Sequence, residues 1–325
     1  MSNQPETEPA PLSLGGDTLA DSIVIVLALL VVQRLVGFVR VVAFCYWLDP
    51  AELGRWDLAQ GFLMLAAPIS VLALSSSLGR YVEFYRQRGQ FRTMLRRTAA
   101  ATAGMVLVSA ALLCLFSPTF SELIFGSGEW AAQVPWVAGT LLVLVLNNYL
   151  VDLFTALRNA RMYAGMQFIH SLAFAVLGIG LLLWRADAGL IVAAYGLGCI
   201  VSSGCGLAWL ARRREALPID RAPPEHGEFW SKLLPYTASV WVTSLMMNLF
   251  SLAGRYMIAH YGPGTDEETL AMVGDYHSAC VVPLLLVSVM QLLSPMLTAH
   301  LSHDWESGRR QRVSERLNLY LKVTA

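Results

Sequence analysis

The sequence predicts an all-α polytopic membrane protein with about eight transmembrane helices and the start of a ninth. Of its 325 residues, 56% are hydrophobic and 14% are charged, whereas charged residues make up about a quarter of a typical soluble domain. The apolar residues also fall in long runs, and about 20 of them cross a bilayer as one helix. Because backbone polar groups find no water in lipid, we expect each span to be helical.

Eight apolar runs are long enough to cross the membrane. They cover residues 22–48, 58–82, 98–116, 132–154, 164–184, 189–211, 236–261 and 275–301. The final stretch, LNLYLKVTA, is again apolar, and we interpret it as the start of a ninth span in a longer chain. Residues 1–20 are rich in proline and lack the basic segment of a signal peptide, so we predict a disordered cytoplasmic tail.

Basic residues are divided very unequally between the two sides of the membrane. Connections on one side hold eighteen Lys and Arg residues, and those on the other side hold two, Arg55 and Arg185, beside acids that include Glu52 and Asp57. Since cytoplasmic connections carry the excess of Lys and Arg, we predict that the amino terminus is cytoplasmic. The longest cytoplasmic connection contains the apolar segment 229–234, which we interpret as an interfacial helix.

An internal repeat divides the predicted spans into two lobes. Aligning the chain with itself at an offset of 215 residues pairs Gln33 with Asn248, Arg40 with Arg255, Tyr46 with Tyr261, and Pro68 with Pro283. Repeated lobes related by an axis along the membrane normal are a known transporter plan, with the substrate bound between them. We expect residues 21–220 to form a six-helix lobe, and residues 221–325 to begin a second lobe with the interfacial helix, two spans and the start of a third.

Two arginines lie inside the first predicted span, where a charge is costly. Arg34, Gly37 and Arg40 are three residues apart, which confines them to an arc of about 120° and separates the two arginines by about 9 Å along the helix axis. An arginine at mid-bilayer costs at least about 2.5–3.5 kcal/mol. Carboxylates inside the spans are few, so an external anion is the best match, and arginine binds phosphate in a bidentate manner.

We therefore predict an anion site in a cavity between the lobes. Arg34 and Arg40 line this site, Gly37 leaves room for the ligand, and Arg255 faces it from the second lobe. The alternative is that the arginines pair internally, or that Arg40 and Arg255 extend from the outer ends of their spans to the membrane surface.

Three amide side chains inside the spans are further candidates for contact with a hydroxyl-rich headgroup. Asn147 and Asn148 lie in the fourth span and Gln291 in the eighth. The alternative for each is a hydrogen bond between helices.

Two prolines are candidate hinges for alternating access. Pro68 and Pro283 interrupt the hydrogen bonding of their helices, and ordinary kinks are the alternative. Asp152 lies near the cytoplasmic end of the fourth span, where we expect it to pair with Arg158 or to face water.

The sequence contains no motif that indicates an enzyme. The patterns GxxxxGK[ST], GxSxG and HExxH are missing, and the outer connections are too short for a catalytic domain. The five cysteines lie in apolar stretches without the spacing of metal ligands. We therefore expect a transporter with no cofactor, no bound metal and no nucleic-acid partner.

Four stretches of the chain carry a resemblance to a known family. They are QRLVGFVR (33–40), ELGRWDLAQGFLMLAAPISVLALSSSLGRYVEFYR (52–86), FWSKLLPYTASVWVTSLMMNLFSLAGRYMI (229–258) and LLSPMLTAHLSHDWESG (292–308). Together they resemble the polysaccharide (O-antigen type) flippases of the multidrug/oligosaccharidyl-lipid/polysaccharide exporter superfamily. The resemblance implies a bacterial inner-membrane protein that moves a polyprenyl-pyrophosphate-linked saccharide to the outer leaflet for lipopolysaccharide or other surface polysaccharides. Membrane lipid and other polysaccharide-assembly proteins are the implied partners.

Two alternatives stay open. The pattern R-x-x-G-x-x-R from Arg34 to Arg40 is also similar to the first helix of lipid II flippases, which would carry a peptidoglycan precursor. A cation-coupled drug antiporter of the same fold is the other alternative, and it should have acidic residues inside its spans. Where many polysaccharide flippases have Asp-Arg near the end of span seven, this chain has Gly254 and Arg255, which puts an ion-coupling role for that acid in doubt.

Overall fold

The regular structure of the protein is helical, as the sequence predicted. The computed structural model describes residues 19–157, 159–213 and 226–306, together with residues 310, 311, 314 and 318. In these residues the α-helices are α1 (Leu19–Trp47), α2 (Pro50–Ser70), α3 (Leu78–Gln87), α4 (Phe91–Leu115), α5 (Ser117–Phe125), α6 (Val134–Ala156), α7 (Ala160–Trp184), α8 (Ala188–Arg212), α9 (His226–Tyr261) and α10 (Asp266–Glu306). Two short 3-10 helices cover Leu74–Ser77 and Gly128–Gln133.

The protein is a multi-pass membrane protein. Six of the described helices are long and apolar enough to cross a membrane, namely α1, α4, α6, α7, α8 and α9. A seventh span results if α2 and the segment Leu74–Gln87, which follows it after a bend, are counted as one crossing. α10 contains the predicted eighth span, and its 41 residues exceed the length of about 20 that a crossing needs.

The second span begins earlier than predicted, at Pro50 and not at residue 58. Asp49 precedes Pro50, and proline is favoured at the first helical position because its missing N–H has no intrahelical partner there. Glu52 in the first turn favourably meets the positive end of the helix dipole. Arg55 and Asp57, which the sequence analysis placed in an outer connection, are therefore buried inside α2.

A break separates α2 from α3 just after Pro68. The helix axis bends by 58° there, and Leu72 and Ala73 adopt left-handed φ angles of 49° and 50°, which are unfavourable for residues with a Cβ atom. The candidate hinge at Pro68 thus coincides with a bend. Pro283 lies inside α10, which continues without interruption, so the structure has no corresponding break there.

The predicted interfacial helix is instead the first part of α9. Phe229 and Leu233 are completely buried, in one apolar cluster with Tyr85 of α3 and Phe91 of α4. The Tyr81 hydroxyl donates a hydrogen bond to the Lys232 carbonyl, at 3.0 Å. The apolar face of this segment is thus covered by protein, which explains why it does not form a separate surface helix.

α2 is the central helix of the bundle. It packs against α9 and α10 on one side and against α6 and α8 on the other, while α1 packs on α7. We refer to α1–α8 as the first lobe and to α9 with α10 as the second. The ends of α1 and α9, and the starts of α2 and α10, agree with the 215-residue repeat to within one residue, although the division into two lobes stays a prediction.

Some predicted features lie outside the described residues. They are the tail up to residue 18, Arg158, the side chain of Gln291, and nearly all of the predicted start of a ninth span.

Candidate functional site

A cavity of about 240 Å³ lies between α1, α7 and α10, at the boundary of the two lobes. We call it the arginine cavity, because Arg34, Gly37 and Arg40 line it from α1. Its other lining residues are Gln33, Phe38, Val41, Ser171, His277, Val281, Leu284 and Leu285. The structure thus brings the three predicted residues of the first span into one cavity between the lobes.

Contacts with α7 hold this face of α1 in place. The Ser171 hydroxyl donates a hydrogen bond to the Gln33 carbonyl, at 3.4 Å. The Arg40 guanidinium lies over the Phe174 ring, 4.2 Å from its centroid, where the negative face of the ring attracts a cation. Phe174 in turn contacts Phe44 at 5.7 Å between ring centroids. Arg40 is therefore oriented by an aromatic ring and not by a carboxylate.

Gly37 keeps the wall of the cavity open. The nearest atom to a Cβ built on this residue is Nη2 of Arg40, at 3.9 Å, an ordinary contact distance. No neighbouring helix therefore requires a glycine here, and the space beside it belongs to the cavity.

The arginine cavity is positively charged. Within the described part of the chain, Arg34 and Arg40 have no carboxylate at ion-pair distance, and none of the lining residues is acidic. Two guanidinium groups that share a cavity in this way form a site for an anion, since arginine presents several N–H donors to phosphate oxygens.

Apart from His277, the wall of the cavity that α10 forms is apolar. α10 contributes Val281, Leu284 and Leu285, and about half of the Leu284 surface is exposed. A ligand that contacts both walls would need a charged part beside α1 and an apolar part beside α10.

Arg255 does not line the arginine cavity. Its Nε lies 2.5 Å from Oδ2 of Asp57, and Nδ1 of His277 lies 2.7 Å from Oδ1 of the same carboxylate. The side chains of Asp57, Arg255 and His277 are 5%, 14% and 12% exposed. We call these three residues the Asp57 cluster. For Arg255, the structure agrees with the alternative of internal pairing.

The Asp57 cluster joins three helices, α2, α9 and α10. Sequence reasoning missed Asp57 because it began the second span at residue 58. The signal was present in the Asp49-Pro50 pair, which is typical of a helix start and places Asp57 about two turns inside α2. No sequence signal indicated that His277 would meet Asp57, since 220 residues separate them.

Two glycines bring α2 and α10 into backbone contact next to the Asp57 cluster. A Cβ on Gly54 would collide with the Leu270 carbonyl, and a Cβ on Gly274 would collide with the Pro50 carbonyl. Small residues permit this close approach of helices in membranes. The lobes are therefore closely packed at this end of the bundle.

Asn148 and Pro68 line a second cavity, of about 190 Å³, beside the break after α2. Asp152 and Ser75 also line it. Asp152 thus faces this cavity.

Neither of the two candidate asparagines lines the arginine cavity. Asn147 is 4% exposed and lies in the interior of the first lobe on α6. Asn148 is exposed and lies beside the second cavity, so both asparagines lie apart from Arg34 and Arg40.

Comparisons with known proteins found a matching family model and a solved structure of similar fold. A family model described as "Polysaccharide biosynthesis protein" matches residues 19–300. Among solved structures, the chain is similar to a "Crystal structure of MATE in complex with Br-NRF", with a TM-score of 0.53 and 17% sequence identity over 93% of this chain and 73% of that chain. At this identity the likeness shows the fold alone. A comparison with curated proteins found no match.

Proposed function

We propose that this chain, which belongs to the polysaccharide biosynthesis protein family, moves a polyprenyl-pyrophosphate-linked saccharide from the cytoplasmic to the outer leaflet of the bacterial inner membrane. The arginine cavity is the observation that carries the proposal. Two arginines line it, and neither has a carboxylate partner among the described residues. The cavity also lies between the two lobes, which move relative to each other in alternating access. Arg34 and Arg40 hold the pyrophosphate.

The two walls of the cavity match the two parts of such a lipid. The pyrophosphate lies against Arg34 and Arg40, and the first isoprene units of the tail lie against Val281 and Leu284. The cavity volume of about 240 Å³ is slightly below the range of about 300–1,000 Å³ for drug-sized ligands. It therefore suits the charged junction of the substrate, while the saccharide and most of the tail remain outside it.

The membrane potential favours outward movement of such a substrate. An anion that leaves an inside-negative compartment gains about 2.3 kcal/mol per charge per 100 mV. Binding to two arginines partly neutralises the substrate and reduces this gain, but the direction is the same. Transport by this route requires no nucleotide hydrolysis.

A cation-coupled drug antiporter fits the charges less well. Asp57 is an acid inside a span, as such an antiporter requires, but its carboxylate is already held by Arg255 and His277. The arginine cavity itself would repel a cationic drug. The substrate of a lipid II flippase also carries a polyprenyl pyrophosphate. The mass of the bound lipid therefore has to distinguish a lipid II flippase from an O-antigen type flippase.

Native mass spectrometry of the purified protein in mild detergent tests the proposal. We expect the wild type to retain an adduct with the mass of a polyprenyl pyrophosphate saccharide, and the double variant Arg34→Ala with Arg40→Ala to lose it. The control is Arg212→Ala with Arg213→Ala, which removes the same charge from exposed positions near the end of α8 and should keep the adduct.

The adduct mass also identifies the saccharide and thereby separates an O-antigen type substrate from lipid II. A wild type that binds no such lipid, or an Arg34 and Arg40 double variant that keeps it unchanged, would overturn the proposal.

A further inference from the structure

His277 belongs to both the arginine cavity and the Asp57 cluster. Its side chain lines the cavity, and its Nδ1 lies 2.7 Å from Oδ1 of Asp57. An imidazole ring has a second nitrogen, Nε2, which is available to another partner when Nδ1 is engaged. One side chain thus connects the anion site with the contact between the lobes.

The Asp57 cluster is positioned to control that contact. Asp57 belongs to the first lobe, and both of its basic partners belong to the second. A buried carboxylate is stable only while it is paired, because removal from water costs several kcal/mol. The close packing of Gly54 against the Leu270 backbone lies one turn away, so loss of a partner of Asp57 acts directly on the α2–α10 interface.

We propose that His277 couples anion binding to the contact between the lobes, an inference that rests on the proposed function. A pyrophosphate held by Arg34 and Arg40 attracts the imidazole of His277 through Nε2, and movement of the ring toward the ligand breaks the contact of Nδ1 with Asp57. Binding therefore draws His277 away from Asp57 and weakens the α2–α10 contact.

This role makes His277 a positioning residue for transport. In the empty protein, Asp57 keeps both Arg255 and His277, and the lobes stay together at this end. In the loaded protein, Asp57 keeps only Arg255. The lobes then separate more readily when substrate is present, which is the order of events that alternating access requires.

The test uses farnesyl pyrophosphate as the ligand and a spin-label distance as the readout. The chain of residues 1–325, with its five cysteines replaced by alanine, carries two labels. They are at Ala186→Cys in the first lobe and Pro263→Cys in the second, which are both exposed positions in connections. Double electron–electron resonance measures the distance between the two spin labels. Calorimetry measures binding of the ligand to the same samples.

The decisive variant is His277→Asn. Asparagine places an amide nitrogen near the position of Nδ1, so it keeps a donor for Asp57 but has no group in place of Nε2. We expect it to bind the ligand no more than about tenfold more weakly than the wild type, the worth of one hydrogen bond. The ligand should lengthen the distance in the wild type and leave it unchanged in this variant.

Two further variants complete the test. Ser278→Ala alters the neighbouring residue on α10, which has no contact with Asp57 among the described interactions, and should respond to the ligand as the wild type does. Asp57→Asn removes the negative charge and one of the two acceptor oxygens that Arg255 and His277 share, so its distance should be long before any ligand is added.

Failure of the inference and failure of the proposed function give different results. If His277→Asn lengthens its distance on binding as the wild type does, or if the wild type binds without any change in distance, the role of His277 is wrong. If the wild type does not bind farnesyl pyrophosphate, or if Arg34→Ala with Arg40→Ala binds it equally well, the anion site itself is wrong.

Discussion

Asp57 is a charged residue inside a membrane helix, and its environment accounts for its presence there. A lone carboxylate in this position would be very costly, but two basic side chains lie within hydrogen-bonding distance of its two oxygens. Arg34 and Arg40 show the opposite arrangement, since both line a cavity and neither has an acid at ion-pair distance among the described residues. Arg40 lies over the Phe174 ring. The difference separates charges that hold the protein together from charges that are available to a ligand.

We predict that Asp57→Asn strongly destabilises the protein. It leaves Arg255 buried without its counter-charge, and breaking a buried ion pair by removing one partner typically costs about 3–5 kcal/mol. The measurement is the midpoint of thermal unfolding in detergent. Glu83→Gln, which removes the acid of the more exposed pair with Arg86, is the control and should cost less than about 1 kcal/mol.

A double variant tests whether the loss comes from this ion pair. Asp57→Asn combined with Arg255→Gln removes both charges. Its loss of unfolding free energy should therefore be smaller than the sum of the losses in the two single variants. Additive losses would show that Asp57 and Arg255 do not stabilise each other.

At the scale of helices, the contact between α2 and α10 depends on the absence of side chains. Gly54 and Gly274 allow backbone to approach backbone, and the Asp57 cluster lies beside this contact. The start of α2 was predictable from Asp49 and Pro50, but the pairing of these two glycines was not. Glycines in apolar segments are common, and only the mutual orientation of α2 and α10 selects these two.

We predict that Gly54→Ala weakens the α2–α10 contact. The added methyl group meets the Leu270 backbone, which cannot move as a flexible side chain would, and overpacking of this kind costs about 1–3 kcal/mol. Gly104→Ala in α4 is the matched control, because its Cβ would meet no atom within 4 Å. It should raise stability by up to about 1 kcal/mol through helix propensity. Thermal unfolding measures both, and equal effects would contradict the packing argument.

At the scale of the whole molecule, α9 is attached to the first lobe near both of its ends. Phe229 and Leu233 pack against α3 and α4 at one end. At the other end, the His260 ring contacts the Glu122 carbonyl at 3.1 Å. These contacts join α9 to the first lobe in the conformation of this structure, while the arginine cavity lies between α1, α7 and α10.

We predict the orientation of the protein from its eighteen basic residues on one side and two on the other. In a background without the native cysteines, Ala186→Cys should react with a membrane-impermeant thiol reagent in intact spheroplasts. Gly227→Cys, at the start of α9, should react only after permeabilisation. Ala186 lies between α7 and α8, and both positions are exposed, so the reverse pattern of labelling would mean that the amino terminus is outside.

The sequence by itself determined the membrane class, the helical spans and the common face of Arg34, Gly37 and Arg40. These are local properties, since they follow from runs of apolar residues and from a three-residue spacing. Only the tertiary structure decided which charges are paired. Asp57 meets His277 across 220 residues of chain, and Arg255 turned out to face Asp57 and not the arginine cavity. Such contacts depend on how distant helices pack, and the energy of a buried charge is set by the groups that this packing brings beside it.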